Sequence, residues 1–210
     1  MPELLAFSIV ILLFSVILHE VAHGLAARYF GDYTAEDAGR LTLNPLPHID
    51  PIGTILLPLL TIMSGSRILF GWAKPVPVNP LNFSDIRRGE LIVSLAGVGA
   101  NFGVAILGSI IWHILQLFPV QQFWFVLLGQ AINLNLTLTI FNLLPIPPLD
   151  GSKVLMSQLP YKHARTLMQY ERYGPFILLG LLFLNFGGVS VIDLVLGFFV
   201  PLLRTILFLG

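Results

Sequence analysis

Long apolar stretches alternate with short polar connections along this chain, a pattern typical of a helical membrane protein. The apolar runs cover residues 4–27, 91–117, 123–144 and 176–209, the last with a break. The first run has 24 residues, enough at about 1.5 Å per residue to cross a hydrocarbon core of about 30 Å. We therefore predict an all-α polytopic membrane protein, a bundle of about four to six transmembrane helices in a single domain of residues 1–210.

One further apolar run, residues 52–63, is too short to cross a bilayer. It has only 12 residues and contains Pro58. Basic residues lie on both of its flanks, and basic residues near the ends of a span mark the cytoplasmic side. We predict a re-entrant or interfacial segment here, with a backbone buried against protein or water.

The distribution of basic residues also predicts the orientation in the membrane. Residues 118–122 carry no positive charge and should be external, whereas the connection after residue 144 is basic. Its positive residues are Lys153, Lys162, Arg165 and Arg172. We expect a multi-pass protein of the cell membrane with an external N-terminus.

The last apolar run is interrupted by Asn185-Phe186-Gly187-Gly188. The sequence Ser190-x-x-Asp193 that follows is typical of a capping box opening a new helix. Both one kinked span and a tight hairpin are compatible with this pattern.

Composition narrows the function classes. Charged residues make up 10% of the chain, against about 25% in soluble domains. Formal net charge is zero, so no basic face for nucleic acid is expected. Cysteine is absent from the sequence, which excludes disulfides, thiolate zinc sites and a cysteine nucleophile. Any metal must be held by nitrogen and oxygen ligands.

The sequence His19-Glu20-Val21-Ala22-His23 lies within the first apolar run. Histidines four apart on a helix project from one face and can share a metal ion. Zinc accepts imidazole nitrogens and in catalytic sites keeps a position for water, whose proton Glu20 could take. A charged residue within a span costs about 2.5 to 3.5 kcal/mol, so ionisable residues there usually serve a function. We therefore interpret the motif as a functional site.

Two histidines leave zinc one protein ligand short. Asp150 follows Pro145-Ile146-Pro147-Pro148-Leu149 at the cytoplasmic end of the run 123–144 and precedes Gly151. The prolines end the helix and the glycine permits a tight turn, so the carboxylate could point back toward the histidines. Alternatively, Asp150 could cap the helix that follows it.

The two motifs together resemble the site-2 protease family of intramembrane zinc metalloproteases, peptidase family M50. The resemblance covers residues 7–155 and rests on the histidine motif and on Asn142-Leu143-Leu144-Pro145 through Asp150-Gly151. The length, without an inserted PDZ domain, resembles the small prokaryotic members. The resemblance implies that one zinc ion per chain is bound by His19, His23 and Asp150. It also implies that Glu20 is the catalytic base and that Asn142 lies beside the site.

Asn101 and His48 are further candidates for the site. The family often has Gly-Pro-x-x-Asn in the intervening span, whereas this chain has Gly97-Val98-Gly99-Ala100-Asn101. We predict that Asn101 contacts the substrate or a metal ligand. His48 is a candidate for an alternative ligand or for a partner of one, although a loop histidine is more often solvated.

The resemblance implies an endopeptidase that cuts within or near transmembrane segments of membrane proteins, as in regulated intramembrane proteolysis. We expect a transmembrane protein substrate, the lipid bilayer as surroundings, and an active site toward the cytoplasmic side. Residues 40–44 and 74–79 could form short β-strands near the cytoplasmic face and pair with an extended substrate.

Two alternative functions are weaker. A prenyl-protein-type integral protease uses a distant glutamate as third zinc ligand, but the sequence has no glutamate between Glu90 and Glu171. A non-catalytic membrane zinc-binding or scaffold protein would have no need of Glu20 as a base. Both considerations favour the site-2 type.

Overall fold

Three long helices form the frame of the structure. The computed structural model describes residues 2–56, 59–60, 63, 73–183, 185–186 and 189–207. Within this part, α1 spans Pro2–Tyr29, α3 spans Ile86–Leu115 and α4 spans Gln122–Leu143. These three are long and apolar enough to cross a membrane. The prediction of an all-α polytopic membrane protein is confirmed.

The remaining helices are shorter. They are α2 (Thr34–Asp37), α5 (Asp150–Gln158), α6 (Tyr161–Glu171), α7 (Gly174–Phe183) and α8 (Val191–Ile206). Single turns of 3₁₀-helix lie at Leu46–His48 and Pro80–Asn82, and Pro51–Leu56 forms a π-helix. The predicted number of four to six spans therefore depends on helices shorter than the roughly 20 residues a crossing needs.

Local sequence explains where the long helices begin and end. Asp85 caps α3, its side chain accepting a hydrogen bond from the backbone N–H of Arg88 at 3.0 Å. Pro119 separates α3 from α4, and Pro145 follows the C-terminal cap of α4 at Leu144. Proline has no N–H to donate to the preceding turn of a helix, so Pro145 favours the end of α4 just before the Asp150 loop.

Helix α3 is the centre of the bundle and packs against α1, α4 and α5. Ala105 of α3 lies fully buried against Ile132 and Leu136 of α4. The opposite side of α3 exposes large apolar residues such as Leu107 and Ile110. An outer surface of this kind is suited to lipid.

The C-terminal break is a hairpin. Two short strands, β1 (Asn185–Phe186) and β2 (Val189–Ser190), pair antiparallel between α7 and α8. The predicted capping box is confirmed: Ser190 Oγ accepts from the Asp193 N–H at 3.0 Å, and Asp193 Oδ2 accepts from the Ser190 N–H at 3.1 Å.

Four of the 12 residues of the apolar run 52–63 lie outside the described residues. Its first part belongs to the π-helix Pro51–Leu56, and residues 57–58 and 61–62 are not described. The re-entrant or interfacial segment therefore stays a prediction, as does the single domain.

The prediction of strands at residues 40–44 and 74–79 is wrong, because neither segment belongs to a sheet. Residues 73–79, here called the strap, are extended, but Pro75 and Pro77 have no N–H to donate to a neighbouring strand. The Arg40 guanidinium instead donates through Nη2 to the carbonyl oxygens of Lys74 and Pro75, at 2.7 and 3.3 Å.

Both ends of the strap are fixed by hydrogen bonds. The Lys74 N–H donates to the His48 carbonyl at 2.9 Å, and the Asn79 N–H donates to Asp32 Oδ2 at 2.7 Å. Burial alone would raise the pKa of the Asp32 carboxyl, but donors on Thr34, Asn79 and Asn82 outweigh it and hold that pKa below its usual value. Asp32 therefore stays an anion and ties the strap to the loop after α1.

Candidate metal centre

The two histidines of α1 form one half of a compact cluster. His19 and His23 are both buried, and their Nε2 atoms lie 2.9 Å apart. Their spacing of four residues places both rings on the face of α1 that meets α3.

Asp150 forms the other half. Leu149, and not Asp150, occupies the N-cap of α5, and no side chain caps that helix. The Asp150 carboxylate instead turns toward α1, with Oδ2 lying 3.0 Å from His19 Nε2 and 3.3 Å from His23 Nε2. Gly151 allows this turn, because a Cβ there would overlap the Leu143 carbonyl at the end of α4.

The geometry of these three atoms fits a metal ion. Around a tetrahedral zinc with bonds of about 2.0 to 2.2 Å, neighbouring ligand atoms are roughly 3.3 Å apart. The three observed separations of 2.9, 3.0 and 3.3 Å are close to that figure. His19, His23 and Asp150 thus form a group able to hold a metal ion.

The proton on His23 is in the position that metal binding requires. Its Nδ1 lies 2.6 Å from the Val93 carbonyl oxygen. A carbonyl can only accept, so Nδ1 carries a hydrogen, and Nε2 is the ring nitrogen that faces His19 and Asp150. A backbone carbonyl of α3 therefore orients one candidate ligand.

Asp150 supplies a negative charge to the cluster. Burial alone would raise the pKa of its carboxyl, but hydrogen bonding and charge attraction from His19 and His23 outweigh burial and lower that pKa well below the usual range. The carboxylate is therefore an anion at neutral pH, the form a metal ligand needs.

Gly97 makes room for the imidazoles. A Cβ at this position of α3 would lie 2.5 Å from His23 Nε2 and 2.6 Å from His19 Cε1. Contacts this short exclude any side chain at this position unless the imidazoles move. The approach of α3 to the histidines thus depends on glycine at residue 97.

Glu20 lies beside the cluster in the same cavity of about 420 Å³, which His19, His23, Asp150 and part of the strap also line. Its Oε2 accepts a hydrogen bond from the Val76 N–H of the strap at 2.8 Å. The cavity thus contains a carboxylate that is not part of the cluster.

The structure distributes the other three candidate residues differently. Asn101 is fully buried, with its carboxamide Nδ2 lying 3.1 Å from His19 Nδ1. Asn142 lines the cavity and donates to the Leu138 carbonyl of its own helix at 3.0 Å. His48 is buried outside the metal cluster, with Nε2 lying 2.9 Å from the Thr42 carbonyl oxygen.

Sequence reasoning missed three contributors to the site. The Val93 carbonyl and the Val76 N–H are backbone groups, and the type of residue does not indicate where such groups bind. Gly97 did have a signal, because it precedes Asn101 by four residues and so shares its face of α3. The prolines around Val76 were a second signal, since they leave one N–H between them.

Comparisons with known proteins show which proteins the chain is similar to. The model of the family described as "Peptidase family M50" matches residues 113–184. This range includes Asp150 but neither His19 nor His23. The chain is 36% identical to "Putative zinc metalloprotease YwhC" of Bacillus subtilis, and the match covers 96% of each chain. It is also similar to "Putative zinc metalloprotease Rip2" of Mycolicibacterium smegmatis, with 33% identity over 85% of this chain and 73% of that protein.

The protein of the same name from Mycobacterium tuberculosis is 34% identical over 80% of this chain and 62% of its own length. No solved structure gives a significant match.

Proposed function

Since the chain belongs to peptidase family M50 and is a zinc metalloprotease of the site-2 type, we propose that it hydrolyses peptide bonds within or near the transmembrane segments of membrane proteins, as in regulated intramembrane proteolysis. The observation that carries the proposal is the convergence of His19, His23 and Asp150, with Glu20 in the same cavity. Both histidines lie in a helix long and apolar enough to span a membrane.

In this proposal the metal ligands are Nε2 of His19, Nε2 of His23 and Oδ2 of Asp150. Zinc, when bound there, supplies a Lewis acid that polarises the scissile carbonyl and makes water easier to deprotonate. Three protein ligands are the number found in catalytic zinc sites, which leave a further position for water or substrate.

Glu20 is the proposed general base. Its carboxylate takes a proton from the attacking water and then delivers that proton to the nitrogen of the departing amine. Val76 occupies Oε2, so Oε1 is the oxygen that remains for this transfer. Glu20 lies next to His19 in sequence, which keeps the base close to the proposed ligands.

Asn101 is proposed to orient His19. A histidine that binds metal through Nε2 carries its hydrogen on Nδ1 and needs an acceptor there. The Asn101 carboxamide lies next to that Nδ1, and its Oδ1 is buried without another partner. With Oδ1 turned toward His19, the amide accepts from Nδ1–H and leaves Nε2 free for the metal.

The proposed substrate is a membrane-spanning protein segment that has unwound near the cytoplasmic end of α1. An intact helix keeps its carbonyls in internal hydrogen bonds, so local unwinding must precede attack. The cavity reaches from the ligands to the strap and to Lys153, Met168 and Glu171 near the basic connection after α4. The excess of Lys and Arg in that connection supports a cytoplasmic mouth.

We expect metal removal to abolish proteolysis. Purified enzyme in liposomes, with a single-span reporter that it cuts, should lose cleavage after dialysis against a zinc chelator and regain it on addition of about one equivalent of zinc. Chelator saturated with zinc beforehand is the control. Cleavage by metal-free enzyme at the starting rate would remove the metal from the proposal.

We expect Gly97→Ala to weaken zinc binding, because the new methyl group would occupy space held by both imidazoles. The dissociation constant for zinc, measured by chelator competition, should rise at least about tenfold, and cleavage should fall with it. Gly99→Ala is the matched control on the same helix, since a Cβ there meets nothing within 4 Å. Equal zinc affinity in the two variants would contradict the role assigned to Gly97.

A further inference from the structure

The strap presents the backbone N–H of Val76 to the catalytic cavity. In Pro75-Val76-Pro77 only the valine has an N–H, because proline nitrogen carries no hydrogen. That N–H donates to Glu20 Oε2 at 2.8 Å, and Val76 is buried. The two prolines also restrict the backbone of the tripeptide to extended conformations.

The N–H groups near the two ends of the strap bind elsewhere. The Lys74 N–H is bound to the His48 carbonyl and the Asn79 N–H to Asp32. The strap is therefore anchored at both ends, and the Val76 N–H between the anchors reaches the proposed base.

The peptide group that carries the Val76 N–H is held from both sides. Its carbonyl oxygen belongs to Pro75 and accepts from the Arg40 guanidinium at 3.3 Å, while the same Nη2 binds the Lys74 carbonyl at 2.7 Å. In a planar trans peptide the C=O and N–H point in opposite directions. Arg40 on one side therefore fixes the direction of the N–H that meets Glu20 on the other.

Resting on the proposed function, we infer that the Val76 amide is a positioning group for the general base, and that Arg40 acts on Glu20 through the Pro75–Val76 peptide. The hydrogen bond holds Oε2, restricts rotation of the carboxylate and leaves Oε1 directed at the water. Arg40, which is buried, is a positioning residue in this arrangement. Preorganisation of this kind lowers the barrier to the chemical step and leaves substrate binding unaffected.

Replacing Val76 tests the donor directly. Val76→Pro removes the N–H in a segment already extended, whereas Val76→Ala keeps it and removes the side chain. With the reporter cleaved in liposomes, Val76→Pro should lower kcat about 10- to 100-fold with little change in KM and with full zinc occupancy. Val76→Ala, which keeps the N–H, should have a kcat at least about tenfold above that of Val76→Pro. Equal kcat in the two variants would overturn the inference.

Arg40→Lys provides a second variant. A single ammonium cannot reproduce the placement of the guanidinium against both carbonyls, so kcat should fall between the values for Val76→Ala and Val76→Pro, again with zinc retained. If Arg40→Lys and Val76→Pro both had the wild-type kcat, both parts of the inference would be rejected.

Hydrogen exchange tests the bond without any proteolysis. In Glu20→Ala, exchange of the Val76 amide should quicken at least about tenfold, while the Lys74 and Asn79 amides keep their wild-type rates. Glu36→Ala, which removes an exposed glutamate paired with Arg28, is the control. An unchanged Val76 rate in Glu20→Ala would overturn the inference. If the rate quickened but the wild-type protein cut no membrane reporter, the hydrogen bond would be confirmed and the proposed function rejected.

Discussion

We expect Glu20→Gln to abolish cleavage of the membrane reporter and to leave zinc bound. The amide has nearly the shape of the carboxylate, and its oxygen can still accept from the Val76 N–H, so the strap keeps its anchor. It cannot take a proton from water, however, and loss of a general base costs about 10² to 10⁴ in rate. Cleavage in liposomes and metal analysis of the same preparation measure the two properties together.

The control for this variant is Glu36→Gln, the same chemical change at an exposed ion pair with Arg28. It should retain both cleavage and zinc. Cleavage by Glu20→Gln within tenfold of the wild type would show that another group takes the proton.

We expect Asp150→Ala to lose both zinc and proteolysis. The carboxylate contributes one of three ligand atoms and the only negative charge among them, so the metal-to-protein ratio should fall from about one to below about 0.1. The helix itself should be little affected, because Leu149 holds the N-cap and no side chain caps α5. Metal analysis after gel filtration, with circular dichroism to confirm helix content, measures both effects.

Asp193→Ala is the matched control, since Asp193 is an aspartate that does serve a helix start. Its loss should reduce the free energy of unfolding by about 1 kcal/mol and leave zinc and cleavage unchanged. Full zinc occupancy in Asp150→Ala would remove Asp150 from the ligand set.

The long helices and the capping box could be predicted because local sequence determines them. A run of 24 apolar residues has few alternatives to a helix in lipid. Ser190 and Asp193 form their capping box within four consecutive residues and need nothing from the rest of the chain. The break between α7 and α8 was therefore placed correctly, although its hairpin form was left open.

The role of Asp150 could not be decided from sequence. An aspartate that caps this helix and one that faces the metal would lie within one residue of each other at the start of α5. Only the position of Leu149 at the N-cap separates the two. The prolines before Asp150 and the glycine after it did indicate that the carboxylate could point back toward the histidines, and the structure brings these groups within 3.3 Å.

The strap was mistaken for a strand because the sequence pattern of an extended backbone is the same whichever group forms hydrogen bonds with that backbone. Alternating residues and prolines predict extension but not the partner. Here Arg40 and Glu20, distant from the strap in sequence, provide the hydrogen bonds that a neighbouring strand would have provided. The clearance at Gly97 is equally non-local, since it depends on where α3 crosses α1.

The clamped peptide of the strap also links stability to catalysis. Arg40 donates to the carbonyl oxygen of the Pro75–Val76 peptide, and Glu20 accepts from its N–H. Groups needed for activity commonly lower the stability of a protein. Here the proposed general base also contributes a hydrogen bond that holds a neighbouring segment in place.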